Sequence, residues 1–304
     1  MAKCLVIGGN GFIGSSLVDD LAGRGHEVTA FDRFSASTVA YESTDVRQFS
    51  GDFMNRADIR EAIRGQDFLF HFLSVTTPAT SENDPTLDIR TNIASSVELF
   101  QDAVEAGVRR VYFASTGGAI YGDQPYDTLN EDVTPFPVSP YAIGKLAIEG
   151  YLRYFHRKYG LESLSFRISN PYGPRQRAIK RQGVIPIFLH RLAEGLPLVM
   201  LGDGSMVRDY IFAEDAVRMI GETVGRPAKH PVYNIGSGAG ASLSDLLEVL
   251  TTVTGIEPVI DSRPVPSTYL DRVVLDTSRY SAEFGLQSFE SLESGIRKTW
   301  ESIH

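Results

Sequence analysis

Tyr141 and Lys145 stand four residues apart just after Ser139-Pro140, in a stretch whose apolar spacing fits a helix over 140–159. Residues at that spacing share one helix face. An ammonium beside a phenol stabilises phenolate. The pair is therefore expected to draw the tyrosine pKa down from near 10, to where it exchanges a proton with a sugar hydroxyl or carbonyl. Upstream, Thr116 follows the strand-like Val111-Tyr112-Phe113-Ala114-Ser115. At the carboxyl end of a parallel strand its hydroxyl would enter a cofactor crevice and hydrogen-bond an oxygen whose charge changes during hydride transfer. Ser115 is the rival for that task, and the bland reading is an ordinary turn ahead of Gly117-Gly118.

A second pattern supplies the hydride partner. Val6-Ile7-Gly8-Gly9-Asn10-Gly11-Phe12-Ile13-Gly14 follows the strand-like Lys3-Cys4-Leu5-Val6-Ile7 and runs into a helical pattern. Gly8 suits a tight strand-to-helix turn, Gly11 lets backbone approach a pyrophosphate, and Gly14 lets helix pack on strand. The amides of the helix start, at Phe12 and Ile13, then face phosphate. The next strand-like run, Glu27-Val28-Thr29-Ala30-Phe31, ends in Asp32, about 20 residues on, where a carboxylate meets ribose hydroxyls. Asp32 selects NAD over NADP, since it would repel the 2′-phosphate that neighbouring Arg33 could otherwise hold.

These residues need a frame. Strand patterns at 3–7, 27–31, 68–73, 109–114 and 161–167 alternate with helical ones near 12–24, 57–64, 87–106 and 140–159, which predicts an α/β fold with a doubly wound parallel sheet. Beyond about residue 170 the regularity fades, with helices near 184–194, 213–224 and 242–253. The organisation expected is a dinucleotide-binding domain over 1–168 and, over 169–304, mainly a smaller mixed α/β substrate lobe. Asp209-Tyr210-Ile211-Phe212 and Val232-Tyr233-Asn234-Ile235 are candidates to return to the first sheet.

Composition narrows the class. With 304 residues, 42% hydrophobic, the chain can bury a large core. Its one cysteine, Cys4, falls inside the first strand, as a small core residue would, and suits a reducing cytoplasm. No signal-peptide pattern or membrane-length apolar run is present. A net charge of −9 argues against nucleic acid as partner. A local basic cluster, Arg175, Arg177, Lys180 and Arg181, reads equally as a solvated loop or an anion contact. His71 reads as a satisfied buried histidine, and no residue set has metal-ligand spacing. Tyr151, Tyr154 and Phe155 read as core or interface.

Taken together, Gly8-x-x-Gly11-x-x-Gly14, Asp32, Gly51-Asp52, Ser115-Thr116, Tyr121-Gly122, Tyr141-x-x-x-Lys145, Arg167, Asn170-Pro171-Tyr172-Gly173-Pro174, Gly202-Asp203-Gly204, Arg208-Asp209-Tyr210-Ile211 and Asn234-Ile235-Gly236 span nearly the whole chain. In this order they resemble the extended short-chain dehydrogenase/reductases of the nucleotide-sugar epimerase and dehydratase group. The resemblance implies a Rossmann-like fold with Thr116, Tyr141 and Lys145 catalytic, the last two also touching NAD. It places Asp52 and Phe53 at adenine, Leu73 and Ser74 at nicotinamide, and Ser115, Asn170, Arg208 and Tyr210 at a UDP-sugar. Arg263 or Arg272 would add a second clamp, but the usual Gly-Asp of that segment is missing from 263–272. It further implies a homodimer through helices near 87–106 and 140–159.

In the dehydratases and decarboxylating relatives an acid follows the catalytic threonine or serine; here Gly117 and Gly118 follow it. Bare redox at a sugar carbon is what remains. The leading expectation is C4 epimerisation of a UDP-hexose through a transient 4-keto sugar; the alternatives are an NAD(P)H-dependent reductase of a nucleotide-linked 4-keto sugar, or a noncatalytic dinucleotide sensor. Val273, three residues before Asp276, matches the position where a bulky side chain excludes an N-acetyl group, so UDP-N-acetylglucosamine stands beside UDP-glucose. The 171–177 stretch resembles uronate-handling members and keeps UDP-glucuronate open.

Overall fold

The computed structural model describes all residues except 36–38, 177–182, 266–268, 286 and 304. Lys3–Ile7 (β1) is buried beyond its first residue, as a near-continuous apolar run must be when helices cover both faces of a parallel sheet. It pairs in parallel with Glu27–Asp32 (β2) and Phe68–His71 (β4). Outward lie Arg47–Ser50 (β3) on one side, and Arg110–Thr116 (β5), Glu162–Ile168 (β6) and Val232–Ile235 (β10) on the other. The order is β10-β6-β5-β4-β1-β2-β3. The order in which strands are added reverses between β1 and β4, and the crevice at the carboxyl ends there is where such sheets bind dinucleotides.

Alternation along β1 sends Cys4 and Val6 into one core layer, under Phe12–Gly23 (α1) and Ala213–Glu222 (α8), and Leu5 and Ile7 into the other. Arg56–Ala62 (α2), Ala94–Glu105 (α5) and Pro140–Tyr159 (α6) cover that second face. An aromatic stack, Phe70 on Tyr112 with centroids 4.5 Å apart, crosses the first layer. Two short helices, Pro78–Asn83 (α3) and Pro85–Asp88 (α4), precede α5. β3 escapes sequence reading because Arg-Gln-Phe-Ser is a polar, mostly exposed edge strand.

Asn170–Tyr172 (β7), Val207–Phe212 (β9), Gly240–Ser242 (β11) and Arg272–Val273 (β13) form a second sheet around β9. Of the two segments considered for return to the main sheet, β10 makes the return, beside β6, while Asp209–Phe212 lies in β9 at the centre of the second sheet. Leu198–Leu201 (β8) pairs with Ile260–Arg263 (β12). Val184–Ala193 (α7), Leu243–Thr254 (α9) and Leu292–Glu301 (α11) pack a third apolar cluster, and Ser278–Phe284 (α10) leans on β10. Among the described residues, no helix is long and apolar enough to cross a membrane.

The helix expected over 87–106 runs on without a gap from Pro85 to Glu105, but it is widened in its middle. Ile89–Ile93 forms a π turn between α4 and α5, a local widening of the kind that recurs at functional sites.

Candidate active site

The glycine turn is built as a cradle. Gly8 has φ +89° and its nitrogen donates to the Phe31 carbonyl at 2.9 Å. A Cβ on Gly14 would run into the Gly8 carbonyl oxygen, and one on Gly8 into the Leu73 backbone. Gly11 stands at the head of α1 with no side chain to cap it, so the first-turn amides there are left for an anion. By contrast Ser139 caps α6 and Ser242 caps α9. Asp32 ends β2 with one oxygen on the Asn10 amide (3.2 Å) and the other on the Arg33 amide (2.8 Å). Four lone-pair sites on the carboxylate still leave acceptors for ribose hydroxyls. The Arg33 side chain is exposed. These residues fit a dinucleotide.

The other cofactor positions are used unevenly. Asp52 accepts the Met54 amide at 2.9 Å. Phe53 is buried and stacks near His71, centroids 5.3 Å apart, so its side chain belongs to the core and only its backbone is left to reach adenine. Ser74 Oγ donates to the Thr76 carbonyl at 2.8 Å.

Lys145 Nζ donates to the Ala114 carbonyl at 2.8 Å. That bond pins α6 to β5 two residues short of Thr116, and places the ammonium 5.6 Å from the Tyr141 ring centroid and 4.8 Å from that of Phe113. Burial presses Lys145 down to about 8, opposed by Asp88 and Glu149. The expected depression of Tyr141 is absent: burial pushes the phenol up to about 12, with Asp88 adding to the rise. The ammonium is spent on a carbonyl, and desolvation outweighs it.

Ser115 and Thr116 separate clearly. Ser115 Oγ donates to the buried Glu149 Oε1 at 2.6 Å, and Glu149 also takes the Arg167 guanidinium at 2.9 Å. The Ser115 hydroxyl is thereby committed to the core, against its place in the substrate set, and Thr116 is the hydroxyl left for the crevice.

On the second sheet, Asn170 pairs in register with Tyr210, and Arg208 with Val273. Among the described residues, the Arg208 guanidinium is held by main-chain carbonyls alone, Val207 at 2.8 Å, Leu270 at 2.6 Å and Asp271 at 3.4 Å. Burial pulls its pKa below the ordinary value. A buried cation held by carbonyls keeps its charge for an incoming anion. Asn170 Nδ2 donates to the Asp209 carbonyl at 3.0 Å. Tyr210 is pushed up to about 12 by burial. Val273 is 1% exposed, in a cluster with Ile120, Tyr121, Leu129, Leu270 and Leu275.

Arg272 neighbours Arg208 through β13 and donates to the Asp127 carbonyl at 3.0 Å. Arg263 is bound to Asp261 at 2.6 Å in β12, on a different sheet, so of the two arginines Arg272 is the one beside Arg208. Of the basic cluster, Arg175 is paired with Asp19 at 2.5 Å; Arg177, Lys180 and Arg181 lie outside the described residues.

His71 is buried with Nε2 2.8 Å from Ser96 Oγ. Ser96 donates its own hydrogen to the Asn92 carbonyl at 2.6 Å, so His71 donates from Nε2. Its Nδ1 is buried with no partner among the described residues: the histidine is half satisfied. Among the described residues no cluster suits a metal. Burial presses His71 down to about 3, Lys145 adding to the fall. The unfolded chain, near 6.5, binds the proton first, so this stability is present above pH 6.5 and is lost as pH falls towards 3, at about 1.4 kcal/mol per unit. Urea unfolding across that window should show a shallower acid loss in His71→Phe than in the wild type; parallel curves would refute it.

Sequence reading passed over Asp88, Asn92 and Glu149. Their signal was present: polar residues at i, i+4 (Asp88, Asn92) and a carboxylate one turn after Lys145, all on the buried sides of helices.

Fold and site together define a dinucleotide-binding crevice with a Tyr/Lys pair. The family model for the NAD dependent epimerase/dehydratase family matches residues 4–236, and the chain belongs to that family, whose cofactor is NAD. The chain is 33% identical to a UDP-glucose 4-epimerase of Mycolicibacterium smegmatis over 98% of its length and 97% of the relative's. A solved UDP-glucose 4-epimerase of Thermotoga maritima, with UDP-glucose, superposes with a TM-score of 0.92 at 33% identity, covering 99% of this chain and 98% of that one. A dTDP-4-dehydro-6-deoxyglucose reductase of Escherichia coli is 30% identical over 98% of this chain and 96% of its own. dTDP-glucose 4,6-dehydratases also stand among the relatives, one of them solved with NAD.

Proposed function

We propose that the chain interconverts a UDP-hexose with its C4 epimer. One observation carries the reading within a family that also contains dehydratases: the turn after Thr116 is Gly117-Gly118, and a Cβ at 117 would lie 2.5 Å from Leu275 Cδ1 and 2.8 Å from the Arg167 carbonyl. The position that follows the threonine has no acid and no room for one. Proton chemistry is then confined to the oxygen of the carbon being oxidised.

Tyr141 takes the proton of the 4-hydroxyl and returns it, Thr116 holds that oxygen, and Lys145 supplies positive charge beside the phenol. Bound NAD supplies the acceptor and donor of hydride at C4. Arg208 grips the diphosphate, with Arg272 beside it. Asn170 and Tyr210 stand on the same sheet for the nucleotide. After oxidation the keto sugar turns over and is reduced on its other face, so no cofactor is consumed. A valine at 273 supports acceptance of an N-acetyl group, as in UDP-N-acetylglucosamine, alongside UDP-glucose and UDP-glucuronate.

Arg208→Lys keeps the charge and loses the fork. At 1.5–3 kcal/mol for a charge-assisted bond, KM for the UDP-sugar should rise roughly 10- to 100-fold with kcat changed far less; steady-state kinetics with an equal fall in kcat would remove Arg208 from the binding role. α6 exposes Ile143, Tyr151 and Tyr154, and the π turn exposes Ile89, which supports a homodimer through these helices. Light scattering should give about twice 33.4 kDa; a monomer at micromolar concentration would contradict it. The single buried Cys4 supports a cytoplasmic site of action.

The deciding experiment is proton NMR with UDP-glucose, UDP-N-acetylglucosamine or UDP-glucuronate and no added cofactor. Appearance of a C4 epimer is expected. The E. coli reductase relative favours a second reading. Turnover seen only with reduced cofactor and a 4-keto sugar would replace the first reading with that one.

A further inference from the structure

Asp88 has no place in the mechanism above, yet it is 3% exposed and packs against the helix that carries Tyr141 and Lys145. Its Oδ1 accepts from Thr76 Oγ1 at 2.5 Å and from Asn92 Nδ2 at 2.7 Å, both neutral donors. Asn92 Nδ2 also reaches Thr76 Oγ1 at 2.7 Å, and Asn92 Oδ1 accepts the Val75 amide at 2.9 Å. The π turn sets Asp88 and Asn92 side by side in this knot. The other carboxylate oxygen lies flat on α6: a Cβ on Gly144 would fall on Asp88 Oδ2. Gly144 sits between Tyr141 and Lys145 in sequence, so a negative charge is wedged against the turn that carries both groups.

We propose that Asp88 is a positioning residue of this site: its carboxylate clips the loop bearing Leu73 and Ser74 to the catalytic helix, and sets the electrical potential at the Tyr141 hydroxyl and the Lys145 ammonium. The proposal rests on the epimerase reading for its purpose, not for its geometry. The groups facing the pair are few. Tyr141 is faced by Asp88 and Lys145; Lys145 is faced by Asp88 and Glu149 on the negative side and by His71, neutral, from β4. A buried anion this close opposes a second one, so it holds the phenol protonated in the empty enzyme and keeps the lysine charged. Positive charge from a bound oxidised cofactor would favour the ionised form of Tyr141 against this field.

The test is the titration of Tyr141 itself in protein carrying 13Cζ-labelled tyrosine, its resonance identified by its loss in Tyr141→Phe. In Asp88→Asn the Tyr141 midpoint should move down by about one pH unit or more relative to wild type, and the acidic limb of kcat against pH should move the same way. A midpoint and a limb that stay in place while activity falls would overturn the proposal and leave Asp88 a structural residue. Should an asparagine amide against Gly144 prevent folding, Asp88→Ala carries the same test, because Asn92 keeps Thr76 Oγ1 as acceptor. The titration needs no substrate: a shift without epimerisation in the wild type defeats the epimerase reading alone, and epimerisation without a shift defeats this proposal alone.

Discussion

Tyr141→Phe is expected to lower kcat for C4 epimerisation by about 10²- to 10⁴-fold, the range a positioned proton-transfer group contributes. The loss should fall on kcat with KM for the UDP-sugar nearly unchanged, because Arg208, Asn170 and Tyr210, on the second sheet, are untouched. NAD retained by the purified protein should match the wild type, since the glycine cradle and Asp32 stand on β1, α1 and β2 and the substitution removes only one oxygen from the contacts that Tyr141 would make. The ring fills the same space and Lys145 keeps its bond to the Ala114 carbonyl, so the fold has no reason to change. Quantitative NMR of epimer formation, with cofactor content by absorbance, checks all three. A variant within tenfold of wild type would mean that another group, Thr116 foremost, moves the proton.

Gly14→Val is expected to abolish cofactor retention and to destabilise the protein by about 3 kcal/mol or more. The added side chain meets the Gly8 carbonyl oxygen, a backbone atom whose own residue is held by its nitrogen on the Phe31 carbonyl, with the Leu73 backbone filling the place a Cβ would take. Overpacking against a flexible side chain costs about 1–3 kcal/mol; backbone on both sides offers no such relief. Either α1 tilts away from β1 or the turn opens, and both move the amides of the helix start. NAD content after purification and the thermal midpoint report the two effects. A variant that keeps its NAD and its midpoint would place the cofactor elsewhere.

Much of the fold was legible because its signals are local. The apolar run of β1, the glycines at their spacing and the acid closing β2 each follow from contacts between residues close in sequence or from periodicity alone, and β1, β2, β4, β5, β6, α1 and α6 lie where the pattern puts them. β3 was not legible, for an edge strand needs no apolar face. The helical run near 87–106 was legible; the π turn at Ile89–Ile93 inside it, where Asp88 and Asn92 meet, was not.

Within the site the division is sharper. The residue types settled which chemistry is available, a phenol with an ammonium, a threonine hydroxyl and a cradle for a dinucleotide, since the covalent structure of each side chain carries that information. Tertiary structure decided how each is used. Ser115 and Thr116 are indistinguishable in one dimension, and only the distant Glu149 and Arg167 show that Ser115 belongs to the core. The direction of the Tyr141 shift reversed for the same reason: its spacing to Lys145 is visible in the sequence, while burial and the Asp88 carboxylate, brought in by a different helix, are not. Arg208 likewise owes its readiness for an anion to carbonyls of residues 270 and 271. Pairings between segments far apart in the chain set desolvation and field, and those two quantities exist only once the chain has closed on itself.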